Sequence, residues 1–337
     1  MTVTASAPTR VDLAGGTIDI WPLYLFHPGA QTVNAALGLR AHVRIDARDD
    51  DRVLLVSDDL GLSAGPLAFD DLPADTVLPL LAKLVHAFGV RGVTVTARSE
   101  APAGAGIAGS SALNIAVTAA LDRWVGRGLD AEALLEIAKN VEAQVIGVPT
   151  GLQDYRPALY GGIAALELGV ERATRVALDV PAAALGDRLV VAYTGAPRAS
   201  GINNWEITKR RIDGDPHVTA CFDAIVTAAA GLRAALEHQD WAAAGAALAD
   251  EWRARTRLAP AVTTTIIDAL LAAAVSEGAW AGKVCGAGGG GCLFCLAPPE
   301  RTTDIRRRWQ QMGAEVLDAS IELEGVRVEG RGPGGQP

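Results

Sequence analysis

Pro102-Ala103-Gly104-Ala105-Gly106-Ile107-Ala108-Gly109-Ser110-Ser111-Ala112 joins an extended, β-branched segment, Val93 to Ala97, to a helical pattern that begins near Ser111. Glycine lets a backbone approach an anion closely, and the first turn of a helix offers unpaired N–H groups at the positive end of a dipole. Together these features form a phosphate cradle. Nucleotide chemistry is therefore the first class to consider. Pro102, Gly104, Gly106, Gly109, Ser110 and Ser111 are the candidate nucleotide contacts.

The loop alone does not fix the nucleotide fold. Gly104, Gly106 and Gly109 satisfy G-x-G-x-x-G, but a dinucleotide unit expects a strand with an acidic residue soon after the helix. Here the helical pattern 111–127 runs into a second one, 130–146, opened by Asp130 as N-cap. A P-loop would close on Gly-Lys-Ser/Thr, which is missing from this stretch. A glycine turn without a ligand is the plain alternative.

Working outward, short strands and glycine turns alternate in the first half. Strands are expected at Arg10–Leu13, Ala41–Ala47, Arg52–Ser57, Val93–Ala97 and Ile163–Leu168, with a further helix at 76–89. The second half opens with a strand, Arg188–Thr194. Long alanine-rich helices follow at 217–237, 239–256, 260–277 and 300–312. A second glycine run, Gly286–Gly291, precedes an apolar strand from Cys292 to Ala297, and Ile321–Glu329 closes a sheet. The expected division is 1–180, 181–330 and a disordered Gly/Pro-rich tail at 331–337, with the change of composition near 170–187 marking the boundary.

Composition narrows the function. Half of the 337 residues are apolar and the net charge is −9, which supports a large core and disfavours nucleic acid as a partner. No run of about twenty apolar residues is present, so no membrane association is expected. The N-terminus carries no basic region followed by an apolar segment, the pattern of a secretory signal. Four cysteines, Cys221, Cys285, Cys292 and Cys295, read as buried apolar residues in a reducing, cytoplasmic compartment rather than as a metal or redox site.

Four segments in order resemble the motifs of the GHMP kinases, the superfamily of galactokinase, homoserine kinase, mevalonate kinase and phosphomevalonate kinase. They are Pro8-Thr-Arg10-Val-Asp-Leu-Ala-Gly-Gly16-Thr17-Ile-Asp19, the loop Pro102–Ala112, Gly151-Leu-Gln153-Asp154-Tyr-Arg-Pro-Ala-Leu-Tyr160-Gly-Gly162, and Lys283–Cys292. Within the superfamily the first and third segments are most similar to sugar kinases, the galactokinases and heptose-phosphate kinases. The resemblance implies an α+β fold of two α/β parts. The N-terminal part would have a left-handed β-α-β crossover and the C-terminal part would be ferredoxin-like, with a cleft between them. It also implies ATP and Mg2+ as cofactors and a small-molecule sugar or sugar phosphate as acceptor, in a monomer or homodimer.

By the same resemblance, Ser111 and Glu142 would bind Mg2+, as hard oxygen ligands suit that ion. Asp154 would lie beside the acceptor hydroxyl as base or orienting group. Arg10, permanently charged, would hold Asp154 ionised. Gly16, Thr17, Asp19, Gln153, Tyr160, Gly288 and Gly289 are the candidate acceptor contacts, with Asn34, Thr194, Arg198 and Ser200 as weaker ones. Lys283 reads as a solvated flank. Ala108 stands at a usual glycine, which requires a negative φ there.

Overall fold

The protein is described here by a computed structural model covering residues 1–72, 76–197 and 204–334. The N-terminal part begins with β1 (Thr2–Ala14) and β2 (Gln31–Ala47), with a 3-10 turn at Leu23–Phe26 between them. β3 (Val53–Ser57), β4 (Leu62–Leu67), α1 (Pro79–Phe88) and β5 (Val93–Ser99) follow. Next come α2 (Gly109–Val125), α3 (Ala131–Ile146), the short α4 (Tyr155–Tyr160), β6 (Ile163–Leu168) and β7 (Ala173–Ala177).

These strands form one sheet in the order β12-β1-β2-β5-β3-β4, where β12 (Arg327–Gly330) comes from the end of the chain. β3 and β5 are a parallel pair with α1 between them in sequence, a β-α-β unit. β2 pairs with β5 through its second half and with β6 through its first. Gln31 to Leu37 is buried on both faces, so it carries no alternation to mark it as a strand. Val43, Ile45, Val93 and Val95 of the sheet share a core with Leu84, Ile115 and Leu121 of the helices.

The C-terminal part contains α5 (Ala182–Gly186), β8 (Leu189–Tyr193), α6 (Asn204–Ile212), α7 (Pro216–Glu237), α8 (Trp241–Leu258) and α9 (Thr265–Ser276). β9 (Ala281–Val284), β10 (Cys292–Leu296), α10 (Pro299–Gln311) and β11 (Glu315–Leu317) complete it. Its antiparallel sheet runs β11-β8-β10-β9, the strand order of a ferredoxin-like unit. A second core joins the two parts: Val11, Leu13 and Ile107 pack with Leu189, Leu232, Leu248 and Phe294. α7 is long and apolar enough to cross a membrane by length and composition. Its Val218, Phe222, Ile225, Leu232 and Leu236 are instead buried in the protein interior.

Several expectations are corrected. Segment 260–277 is not one helix: a 3-10 turn at Pro260–Val262 precedes α9, whose Thr264 cap accepts from the Ile267 N–H. Segment 321–329 yields one bridge, Ile321 to Leu37, and then β12 at 327–330, which pairs with β1 of the first sheet. Residues 331–334, expected to be disordered, lie on the N-terminal part. Arg331 N–H donates to Thr2 O and Gly334 N–H to Trp124 O, each at 3.2 Å. Residues 335–337 are outside the described residues. Cys292 and Cys295 face different cores from opposite sides of β10, so they do not form a ligand pair.

Candidate active site

α2 begins as an open cradle. Helices α3, α7, α8 and α9 are capped by the side chains of Asp130, Asp215, Asp240 and Thr264. Ala108 at the N-cap of α2 offers none, so the first N–H groups keep their polarity free for an anion. Ala108 has φ +61°, not the negative φ expected. The tight path that brings Ile107 O onto the Arg10 N–H at 3.0 Å holds it there, at a cost of about 1 kcal/mol.

Gly104 and Gly106 also have positive φ, +69° and +75°. Two other segments clamp the loop. Arg10 Nη1 donates to Gly106 O at 2.9 Å, and Cys292 N–H donates to Ala105 O at 2.6 Å. A Cβ at Gly291 would lie 2.7 Å from Ala105 O, so only glycine permits this approach of the second glycine run to the first.

The buried stripe of α3 is Leu134, Leu135, Ala138, Val141 and Glu142, and this spacing turns Glu142 toward α2. Its carboxylate accepts from Ser110 Oγ at 3.0 Å, Ser111 Oγ at 3.2 Å and Tyr155 Oη at 2.6 Å. Burial, followed by the Glu142 charge, pushes the Tyr155 hydroxyl far above its ordinary pKa, so it acts as a donor only.

Asp154 stands at the N-cap of α4, yet its side chain caps nothing there. It accepts from Arg10 Nη2 at 2.6 Å and Nε at 3.0 Å. Arg10 is 2% exposed and Asp154 about a third exposed, so the carboxylate faces solvent with the cation behind it. Burial alone would lower the Arg10 pKa, but the Asp154 and Asp12 charges raise it. One cleft of about 520 Å³ is lined by Ile20, Ser110, Ser111, Glu142, Asp154 and Tyr155, with Asn204, Trp205 and Thr208 of α6 opposite.

Asp19 lies at the base of this region, 1% exposed, and accepts from the Gln153 N–H at 2.8 Å. Burial, reinforced by the Asp154 charge, pushes its pKa up to about 6. A Cβ on Gly151 would come 2.1 Å from Asp19 Oδ2, which explains the glycine there. Gly16 and Gln153 sit together, since a Cβ on Gly16 would lie 3.2 Å from Gln153 Nε2.

Behind this site is a buried charge network. Lys283 is wholly buried, contrary to the solvated flank expected; its Nζ donates to Asp12 Oδ2 at 3.1 Å and Glu251 Oε1 at 3.0 Å. Asp12 Oδ1 also accepts from the Gly286 N–H at 2.9 Å. Burial pushes Asp12 up, and Lys283, Arg10 and Arg255 together pull it below its ordinary value. Arg255 donates to Glu251 Oε1 at 3.1 Å and to Thr17 Oγ1 at 3.2 Å.

Some expected contacts do not converge. Tyr160 Oη donates to Glu132, ten residues and about 15 Å along α3 from Glu142. Gly288 and Gly289 pack on the 3-10 turn: Gly289 N–H donates to Val262 O at 3.0 Å, and a Cβ on Gly288 would lie 2.3 Å from that oxygen. Asn34 donates to Thr32 within the sheet, and Thr194 Oγ1 donates to Ala196 O. Pro102 closes a turn through its carbonyl, which accepts from the Ala105 N–H. Arg198 and Ser200 lie outside the described residues.

Sequence reasoning missed Tyr155, Asp12, Glu251 and Arg255. Tyr155 adjoins Asp154 and could have been flagged; the other three carry no local signal, because their partners are distant in sequence.

Comparison with known proteins identifies the family. Residues 75–162 match the model of the GHMP kinases N terminal domain, and residues 232–315 match that of the GHMP kinases C terminal. A D-glycero-alpha-D-manno-heptose 7-phosphate kinase of Campylobacter jejuni is 25% identical over 336 residues, covering 97% of this chain and 98% of the relative. A mevalonate kinase of Thermococcus sibiricus is 26% identical over 350 residues, covering 98% and 99%. The crystal structure of Lactococcus lactis galactokinase complexed with galactose superposes with a TM-score of 0.77 at 17% identity, covering 97% of this chain and 95% of that one. With its motifs in order, its two-part fold and both domain models matched, this chain belongs to the GHMP kinase family.

Proposed function

We propose that this protein is an ATP- and Mg2+-dependent kinase that transfers the γ-phosphoryl group to a hydroxyl of a sugar or sugar phosphate. One observation carries the reading: Asp154, backed by Arg10, and Glu142, gathered by Ser110, Ser111 and Tyr155, line the same cleft at the uncapped start of α2.

The donor set fits the cation. Mg2+ uses one or two carboxylates together with waters and substrate phosphates, and Glu142 with the Ser111 hydroxyl offers such an oxygen set. No group of three or more His, Cys, Asp or Glu suited to a metal occurs among the described residues. When bound, Mg2+ would neutralise charge on the transferring phosphates. Glu142 and Ser111 would hold it, and the N–H groups of Gly109 to Ser111 would hold the phosphates.

Asp154 would accept a hydrogen bond from the acceptor hydroxyl and align its oxygen, taking the proton as the new O–P bond forms. Arg10 cannot be the base; its planar fork holds the Asp154 carboxylate in place. Asp19, at the base of the site, would accept from a second hydroxyl of the acceptor. The described residues lining the cleft include two carboxylates and no lysine or arginine. Those two carboxylates suit the hydroxyls of a polyol, which donate hydrogen bonds, and a neutral sugar fits that lining better than a charged acceptor, whether mevalonate or a sugar phosphate.

The mevalonate kinase relative nevertheless makes mevalonate the second reading. Mg·ATP with a panel of aldoses, uronic acids, heptose phosphates and mevalonate, followed by ADP release, separates the two. Sugar-dependent ADP supports the proposal and mevalonate-dependent ADP the second reading. Nucleotide binding without turnover on any of them would mark a non-catalytic regulator. The buried thiols suit a reducing cytoplasmic compartment, and a monomer or homodimer is expected.

A further inference from the structure

Thr17 has φ +73°, a left-handed conformation that a β-branched residue adopts only under constraint. It opens the turn that delivers the acceptor-side residues: Thr17 O accepts from the Ile20 N–H at 3.2 Å. That turn contains Asp19, held by the Gln153 N–H, and ends on Ile20 in the cleft wall. The constraint comes from the other half of the molecule. Arg255 of α8, 1% exposed, donates through Nη1 to Thr17 Oγ1 at 3.2 Å and to Gly286 O at 3.3 Å, while its Nε is anchored on Glu251. Its Nη2 has no hydrogen-bond partner among the described residues, and a Cβ on Gly16 would come within 2.6 Å of it. The guanidinium therefore fills the space behind the Gly16–Thr17 peptide, and the absence of a side chain at position 16 admits it.

We propose that Arg255 is a positioning residue for acceptor binding: from the C-terminal part it locks Thr17 in the left-handed state that presents Asp19 beside Asp154. The inference rests on the reading of Asp19 as an acceptor contact. It goes further in making that contact depend on a helix of the opposite part. A lysine at 255 keeps the charge beside Glu251, but one ammonium cannot reach Glu251, Thr17 and Gly286 with the fixed fork of a guanidinium.

The test uses Arg255→Lys, Thr17→Gly and the double variant. With whichever acceptor of the panel the wild type phosphorylates, Arg255→Lys is expected to raise the acceptor KM about tenfold, as for a lost hydrogen bond to a charged donor. The kcat and the KM for Mg·ATP should stay within about twofold, because a uniform binding contribution is removed. Thr17→Gly, which adopts positive φ without strain, should make the second substitution nearly silent. An unchanged acceptor KM in Arg255→Lys, or an equal loss in both backgrounds, overturns the proposal. Melting temperatures of the four proteins decide the coupling even if no acceptor on the panel is phosphorylated. Shifts that are smaller together than summed support the lock, and strictly additive shifts refute it. Absence of turnover in the wild type would count against the sugar-kinase reading alone.

Discussion

Replacing Lys283 by methionine tests the buried network that joins the two parts. The substitution keeps an unbranched chain and removes the ammonium from between Asp12 and Glu251, where it lies 3.1 and 3.0 Å from their oxygens. Removing one member of a buried ion cluster costs roughly 3–5 kcal/mol, because the remaining charges stay desolvated. Asp12 would keep the Gly286 N–H at 2.9 Å and Arg10 at 3.7 Å, and Glu251 would keep Arg255 at 3.1 Å. The lower end, about 3 kcal/mol, therefore applies.

A chain of 337 residues loses roughly 1.4 °C of Tm per kcal/mol, so a fall of about 4 °C is expected. Circular dichroism at 222 nm would measure it. The loss must also depend on pH. In the wild type the folded-state pKa of Asp12 lies below its ordinary value, so its ionised form contributes stability above the unfolded pKa, and that contribution fades as pH falls through the folded pKa. Without Lys283 the Asp12 pKa rises, and the deficit should be smaller at pH 5 than at pH 8. Adding Asp12→Asn should restore part of the Tm at pH 8. A Tm within 1 °C of wild type, or an equal deficit at both pH values, would refute the reasoning.

Three further outcomes are expected. Asp19 has a folded pKa near 6 against an ordinary value of 3.8, so its proton stabilises the fold at low pH and that stability is lost as pH rises from about 4 to 6; Asp19→Asn should flatten the Tm profile over this interval, and an unaltered slope would speak against it. Glu142→Gln should lower kcat/KM for Mg·ATP by about tenfold or more and raise the Mg2+ concentration needed for half-maximal ADP release, whereas an unchanged Mg2+ dependence would remove Glu142 from the cation site. Gly106→Ala places a Cβ at φ +75° and 2.8 Å from Cys285 O, so it should destabilise by more than about 1 kcal/mol and weaken nucleotide binding in calorimetry; a neutral Tm would mean the loop can relax.

What was legible in the sequence follows the range of the interactions. The phosphate loop could be read because glycine and a helix start are local signals, and the extended segment at 93–97 and the helix after it lie close to where they were expected. Arg10 and Asp154, 144 residues apart, were paired by resemblance and not by any local pattern. Lys283 was misread for the converse reason: viewed singly it flanks a glycine run, and its partner Asp12 lies 271 residues away. Gln31 to Leu37 stayed hidden because burial on both faces erases the alternation of period two. The strand expected at 321–329 could not be assigned to a sheet, because only the register of β12 with Ser6 to Val3 of β1 shows where it returns. The conformation of Ala108 could not be foreseen, since an alanine at positive φ goes against its local preference.

The central claim is that Asp154 handles the acceptor hydroxyl while the start of α2 handles the nucleotide. Asp154→Asn keeps the shape and removes the charge, so ADP release with the preferred acceptor should fall at least about a hundredfold. Calorimetric binding of Mg·ATP should stay within about twofold of wild type. Full turnover in that variant, or a loss of nucleotide binding in proportion to activity, would contradict the assignment.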